Sequence, residues 1–462
     1  VIAENGERQA GSFRDPSGFI FERAGTVLRQ VNPSYSEDYE ALKASGLLDE
    51  LWSDGLLIPH QELASEPGFT QEAIAVLRPE RVKTISYPYE WSFGQLKDAA
   101  LCTLAIQKRA LSRGLSLKDS SAYNVQFSEG RPVFIDTLSF ERYVEGKPWI
   151  AYRQFCSHFL APLALMALVD VRLQSLLKSY LDGIPLDLTS SLLPGMTKFN
   201  PGLAMHIHMH AKAQSKGTSF GEAAKANISK TAQLALVDNL ESVVRKLEWT
   251  PEGTVWGNYY QETNYSDKAF SQKHEVVTEL LSMAKGAEKT CWDLGANDGE
   301  FSRLAVNSGF DTIAFDFDPA AVEKAYRSVR HNRETRLLPL LQDLTNPSPN
   351  LGWAGKERDG LAERGPAQVV LALALVHHLA IGNNVPLPLV AKSFADLANF
   401  VIVEFVGKQD SQVIRMLSSR EDVFPNYQIE GFESAFSAHF DLVKKVPLDG
   451  MDRTLFLYQR RI

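Results

Sequence analysis

The side chains with the clearest chemical potential lie between residues 290 and 319, TCWDLGANDGEFSRLAVNSGFDTIAFDFDP. Asp293, Gly295, Ala296, Asn297 and Gly299 make an acid-and-glycine turn, and Asp316 follows 21 residues after Gly295. Glycine suits a place where the backbone turns sharply and lets a ligand touch it, and asparagine tolerates left-handed angles better than most residues. An acid at the position of Asp316 is placed to accept both hydroxyls of a ribose. Cys291 sits inside a strand ahead of the turn, which makes it a poor nucleophile.

Such a turn needs a strand before it and a helix behind it. Cys291 to Leu294 reads as the end of a buried strand, Glu300 to Ser308 as an amphipathic helix, and Thr312 to Phe315 as a second strand ending in Asp316. A dinucleotide fold would carry Gly-x-Gly-x-x-Gly here, whereas this turn is Asp-x-Gly-x-Asn-x-Gly. It resembles the first motif of class I S-adenosylmethionine-dependent methyltransferases, departing from their commonest form by asparagine at the middle position. The resemblance implies S-adenosylmethionine as cofactor, held by Asp293, Gly295, Ala296, Asn297, Gly299, Asp316 and Phe317. It further implies that Asp343, beside Leu344, accepts the adenine amine.

The residues downstream have the alternation that this resemblance requires. Pro319 to His331 reads as a helix, Leu337 to Leu341 as a third strand, and a Gly- and Pro-rich loop from 345 to 366 precedes a fourth, Gln368 to Ala374. A helix or helix pair covers 376–399, and a fifth strand, Phe400 to Val403, ends in Glu404-Phe405. A helix from Asp410 to Ser418 and two strands near 440–446 and 454–459, joined by a short link, complete the pattern. The expected fold class is α/β: a seven-stranded, doubly wound, Rossmann-like sheet with a terminal hairpin. His377, His378 and Glu404 fall at strand ends, where ligands bind in open α/β sheets, and are the candidate catalytic residues. A base is needed only when the acceptor arrives protonated. No Asn/Asp-Pro-Pro-aromatic sequence follows the fourth strand, so methylation of a planar amide or base nitrogen is not indicated.

A second constellation lies in LSLKDSSAYNVQFSEGRPVFIDTLSF, residues 115–140. Asp119 and Asn124 are five apart, and Asp136 lies twelve further on, after the apolar run Val133 to Ile135 and the hairpin turn Ser128-Glu129-Gly130. This resembles the catalytic loop and metal-binding strand of the protein-kinase and aminoglycoside-phosphotransferase fold, where an aspartate faces the substrate hydroxyl and an asparagine and a second aspartate hold magnesium. The hairpin about Ala24-Gly25 leads straight into a helix expected over Tyr35 to Ser53, so the strand with the phosphate-binding lysine is expected to be missing. IPHQEL and VKTISYPYEW have strand character, and Leu96 to Gly114 that of a helix. The expectation is a degenerate kinase-like α+β domain.

The domains expected are therefore 1–150, kinase-like; 151–250, helical; and 251–462, methyltransferase. At the third domain's entry Trp256, Tyr259 and Tyr260, with Lys273 on a helix from Asp267 to Ala284, are placed to fold over the cofactor or line a substrate pocket. The alternation His206, His208, His210 does not make a metal site, because only His206 and His210 share a helical face and no third ligand is evident.

At 462 residues, 44% hydrophobic and 23% charged, the chain belongs to a folded protein of two or three domains. A net charge of −8 argues against a nucleic-acid partner, so the acceptor is expected to be a small molecule or protein side chain. Apolar surroundings of Cys102, Cys156 and Cys291 suggest buried thiols in a reducing compartment. The first residues lack the apolar run of a signal peptide and no stretch is long enough to span a bilayer. A cytoplasmic protein without a membrane partner is expected. Two rival readings stay open: a non-catalytic module that keeps the cofactor fold as a scaffold, and a bifunctional phosphotransferase-methyltransferase.

Overall fold

The computed structural model describes residues 6–215, 227–252, 267–284, 286, 288–418 and 421–461. The chain divides into two compact units: residues 1–250 together with 350–358, and residues 251–349 together with 359–462. Trp256, Tyr259 and Tyr260 lie outside the described residues.

The first unit opens with strands β1 (Glu7–Arg8), β2 (Gly18–Arg23) and β3 (Thr26–Val31). The β2–β3 hairpin turns at Ala24 and Gly25, both at positive φ. Because β1 pairs with β2, the second arm of the hairpin is the third strand of its sheet; it carries Arg29 and no lysine. β1 itself was not read from the sequence, because its two exposed residues carry no apolar alternation. The helix expected over 35–53 is two, Ser36–Ala44 and Leu47–Ser53, broken where Gly46 takes a left-handed φ of 70°. Strand β4 (His60–Glu62) follows, then β5 (Ala75–Pro79), and the sheet order is β1-β2-β3-β5-β4. Residues 82–91 form no strand; Pro88 opens a single helical turn, Pro88–Glu90, and has no amide to give a ladder.

Ser92 and Gln95 cap the long helix Phe93–Ser112 reciprocally: the Ser92 hydroxyl accepts from the Gln95 amide and the Gln95 side chain accepts from the Ser92 amide. Short strands β6 (Leu115–Leu117), β7 (Val125–Ser128), β8 (Arg131–Phe134) and β9 (Phe140–Arg142) follow, paired β6 with β9 and β7 with β8. The rest of the unit is mainly helical. His206 bonds the Tyr152 hydroxyl at 2.7 Å and Asn239 at 2.8 Å, His210 shares that hydroxyl, and His208 lies between Ser190 and Thr197.

The second unit is built on β10 (Thr290–Leu294), β11 (Asp311–Asp316), β12 (Leu337–Leu341), β13 (Ala367–Ala372), β14 (Ala398–Val406), β15 (Phe440–Pro447) and β16 (Arg453–Arg460). They form one sheet in the order β12-β11-β10-β13-β14-β16-β15, parallel from β12 to β14 and antiparallel at the terminal hairpin. β13, AQVVLA, is buried at every position, as a central parallel strand covered on both faces must be. Each such Val or Leu contributes about 1.5–3 kcal/mol by leaving water. Helices Asp267–Met283 and Glu300–Asn307 bury Val277, Leu280, Phe301 and Ala305 in the same core as Cys291, Val369 and Leu371. The stretch 376–399 divides into a wide turn, His378–Gly382, and the helix Leu387–Leu397. A helix not read from the sequence, Ile429–Ser437, precedes the hairpin. Among the described residues no helix is long and apolar enough to cross a membrane.

Candidate ligand pocket at the sheet's switch point

β10 lies between β11 and β13, so the chain reverses its direction of growth beside it, and a crevice opens at the strands' carboxyl ends. The turn from Gly295 to Gly299 lines it. Gly295 (φ 77°), Asn297 (φ 52°) and Gly299 (φ 88°) are all left-handed, which explains two glycines and an asparagine at these places. The amides of Gly295 and Ala296 both donate to the Phe315 carbonyl at 2.9 Å, fixing the turn to the end of β11.

Two carboxylates face one another across this turn. Asp293 is the last residue but one of β10 and is buried; it accepts from the Ser302 hydroxyl at 2.7 Å, and burial pushes its carboxyl up to about 7. Asp316 ends β11 and accepts from the amides of Asn297 and Asp318, each at 2.8 Å. Burial raises it to about 6, those amides pulling the other way. The space is about 950 Å³ including its open mouth, lined by Asp293, Gly295, Ala296, Asn297, Asp316 and Phe317 together with Phe270, Lys273, Phe301, Leu373, Ala374, Leu375, His378 and Asn383. Phe317 is 58% exposed. Phe270, Phe301, Leu373 to Leu375 and Asn383 were not singled out in the sequence; apolar residues on core-facing helices and strand ends carry no distinguishing signal.

Behind the wall runs a chain of buried charges. Lys273 donates to Glu404 at 2.7 Å, Arg453 reaches the other oxygen of Glu404 at 3.4 Å, and the same arginine donates to Asp410 at 2.8 Å. Glu404 also accepts the Ala374 amide at 2.7 Å, holding that residue at its left-handed φ of 49°. Glu404 is fully buried and does not line the pocket, and β14 continues two residues past it, so it does not end its strand. Desolvation lowers Lys273 despite its acid partner.

His377 is buried behind the pocket, while His378 lines it, the two rings 4.1 Å apart. Burial drives His378 down to about 4 and His377 well below its ordinary value, so both are neutral near pH 7 and weak as proton acceptors. Asp343 is exposed at the end of β12, its carboxylate accepting from the amide and hydroxyl of Thr345; it and Leu344 are outside the lining, as is Gly299. Cys291 is buried, its thiol raised well above the usual range by desolvation.

The first unit brings Asp119, Asn124 and Asp136 together. Asn124 bonds the Asp119 carboxylate, and Asn124 and Asp136 share the Ser139 hydroxyl, at 3.2 and 2.6 Å. Arg29, on β3, pairs with Asp136, a contact across 107 residues with no local signal in the sequence. Burial alone would raise the Asp136 carboxyl, but Arg29, Ser139 and the Leu138 amide outweigh it and bring it below its ordinary value. Asp119 is raised, by burial first and then by Asp136. Its carboxylate also accepts from Ser121 and Gln154.

A mostly parallel sheet with a glycine turn and two buried acids at its switch point makes this an α/β unit with a crevice where open sheets of this kind bind ligands. No protein-family model matches the chain. It is 38% identical over 465 residues to Nodulation protein NoeA of Rhizobium meliloti (strain 1021), spanning 98% of this chain and 96% of that one, and it belongs to the NoeA family. Likenesses to solved structures are remote. Magnesium protoporphyrin IX methyltransferase (ChlM) of Synechocystis PCC 6803, crystallised with SAH, is 15% identical at a TM-score of 0.32, covering 45% of this chain and 93% of that one. N-methyltransferase NodS of Bradyrhizobium japonicum WM9 is 12% identical at a TM-score of 0.32, covering 43% and 99%.

Proposed function

We propose that the second unit is an S-adenosylmethionine-dependent methyltransferase of the class I plan, with its doubly wound sheet, acting on a small molecule or a protein side chain. The observation that carries this reading is the pair Asp293 and Asp316, buried at the ends of adjacent parallel strands on either side of a left-handed glycine turn. The residues fit the cofactor by chemistry. Asp316 suits a ribose diol, since an acid accepts two hydroxyl protons; Asp293 suits an ammonium group, and Lys273 a carboxylate. A Cβ at Gly295 would sit 3.4 Å from Leu375, so the bare backbone keeps the crevice open there. About 950 Å³ is ample for a ligand of this size.

When bound, the cofactor supplies an already activated methyl group. The protein's part is to hold the acceptor in line with that group and exclude water, which Phe270, Phe301, Leu373 and Leu375 do by walling the pocket with apolar surface. His378 and Asn383, also in the lining, offer polar contacts to an acceptor. In this reading the front unit is a degenerate kinase-like domain that holds or regulates the acceptor without transferring phosphate; its five-stranded sheet and its cluster of Asp119, Asn124 and Asp136 support that reading. The relative's name places it in nodulation, and we extend that setting to this chain.

Isothermal calorimetry with S-adenosylmethionine and S-adenosylhomocysteine tests the reading. Wild type is expected to bind both; Asp316→Ala loses about 1.5–3 kcal/mol, the worth of hydrogen bonds to a charged acceptor, and Gly295→Val loses binding by filling the turn. A folded wild type that binds neither ligand overturns it.

A further inference from the structure

Between Leu188 and Lys212 the chain contains no aspartate or glutamate, although the whole sequence carries a net charge of −8. Its only ionisable side chains there are Lys198, Lys212 and the three histidines. Short helices spanning Leu186–Leu192, Pro201–Leu203 and Met209–Ser215 and the helical turns between them pack on one another. Their inward side is complete: Thr189, Leu193, Thr197, Leu203, His206 and Ile207 are buried. The outward side is apolar as well. Leu192 is 41% exposed, Met196 76%, Phe199 88%, Met205 38% and Met209 65%. Isolated exposed apolar residues are ordinary, but five large ones in one short segment mark an interaction surface.

We propose that this face of the front unit binds the surface of an anionic lipid bilayer. Its chemistry is that of an interfacial anchor: an aromatic ring and flexible methionines to enter the acyl boundary and lysines beside them for the headgroups, with one acid, Asp187, at the first turn of the Leu186–Leu192 helix. Lys198 is next to Phe199, so the cation and the ring arrive together. A second copy of the chain is a poorer occupant, because a two-fold contact would set Lys198 and Lys212 against their own counterparts. Attachment of this kind needs no spanning helix, and it revises the expectation of a protein without a membrane partner.

Co-sedimentation of the full chain with phosphatidylcholine vesicles, and with vesicles of equal parts phosphatidylcholine and phosphatidylglycerol, tests the proposal. Wild type is expected to bind the mixed vesicles and to be released by high salt. Phe199→Ser weakens binding by about tenfold or more, the worth of burying its ring, and Lys198→Ala by about fivefold, the worth of one cation at an anionic surface. Both side chains are exposed, so thermal unfolding should be unchanged. Wild type left in the supernatant overturns the proposal, as does equal binding to both vesicles. So does light scattering that shows a vesicle-free dimer split by Phe199→Ser.

Discussion

Each unit of this protein gathers two carboxylates, and the two gatherings are opposites. In the first, Asp136 is answered by its own chain: Arg29, the Ser139 hydroxyl and the Leu138 amide hold it ionised below its usual range. In the second, Asp293 and Asp316 look into a crevice, and burial holds them near 7 and 6. An acid neutralised by a neighbouring guanidinium stabilises a fold; acids kept poised in a cavity suit a ligand that brings its own donors. On the proposed function, the same residue type, clustered twice, supports structure in one place and recognition in the other.

The contrast is most open to attack at its structural end. Asp136→Ala leaves Arg29 largely buried without its partner and is expected to cost about 3 kcal/mol of stability, read by chemical denaturation, while affinity for S-adenosylmethionine stays at the wild-type value. With Arg29 already paired to Asp136, the wild type should show no ATP hydrolysis. Hydrolysis abolished by the same substitution would turn the front cluster from a brace into a catalyst.

Titration separates the clusters next. A carboxyl raised on folding stabilises most below its unfolded value, near 4, and that contribution is lost as pH climbs towards 7; Asp293 and Asp316 belong here. Asp136, depressed on folding, contributes above that value and loses its contribution as pH falls below it. Ligand donors favour the ionised pocket acids, so affinity should rise about a hundredfold from about pH 5 to about pH 8 if Asp293 must ionise. Calorimetry at both pH values checks this, and a flat profile would place the acids outside recognition.

The smallest effect is expected at His378. Held near 4, it has little appetite for a proton at neutral pH, so His378→Asn should slow S-adenosylhomocysteine release in the presence of cell extract by less than about tenfold. A loss of about a hundredfold or more, with an ionisation near 6.5 in the rate profile, would restore it as a general base.

The pocket's glycine turn was legible because its chemistry is local. Gly295, Asn297 and Gly299 announce a left-handed turn, and the strands beside them are apolar runs of the right length. The rest was not, because its contacts cross the chain: Lys273 and Glu404 are 131 residues apart, and Arg453 is a further 49 from that glutamate. In the front unit, β1 has no apolar residue to mark it, and Val82 to Trp91 imitates a strand by composition while Pro88 prevents it. Gly46 divided a helix whose apolar periodicity continues across the break. Short-range pattern finds elements; it does not find the partners that neutralise a buried charge.

Those partners also constrain how such a sequence can change over time. Lys273, Glu404, Arg453 and Asp410 alternate in sign, two cations and two anions that are all buried. Losing any one leaves a buried charge uncompensated, at about 3–5 kcal/mol, whereas replacing all four by apolar residues of like volume removes the charges together and costs chiefly the acceptor of the Ala374 amide. Single steps away from the set are therefore steep and joint replacement is shallow. Mutational drift along this lineage is funnelled into keeping the quartet whole or discarding it together.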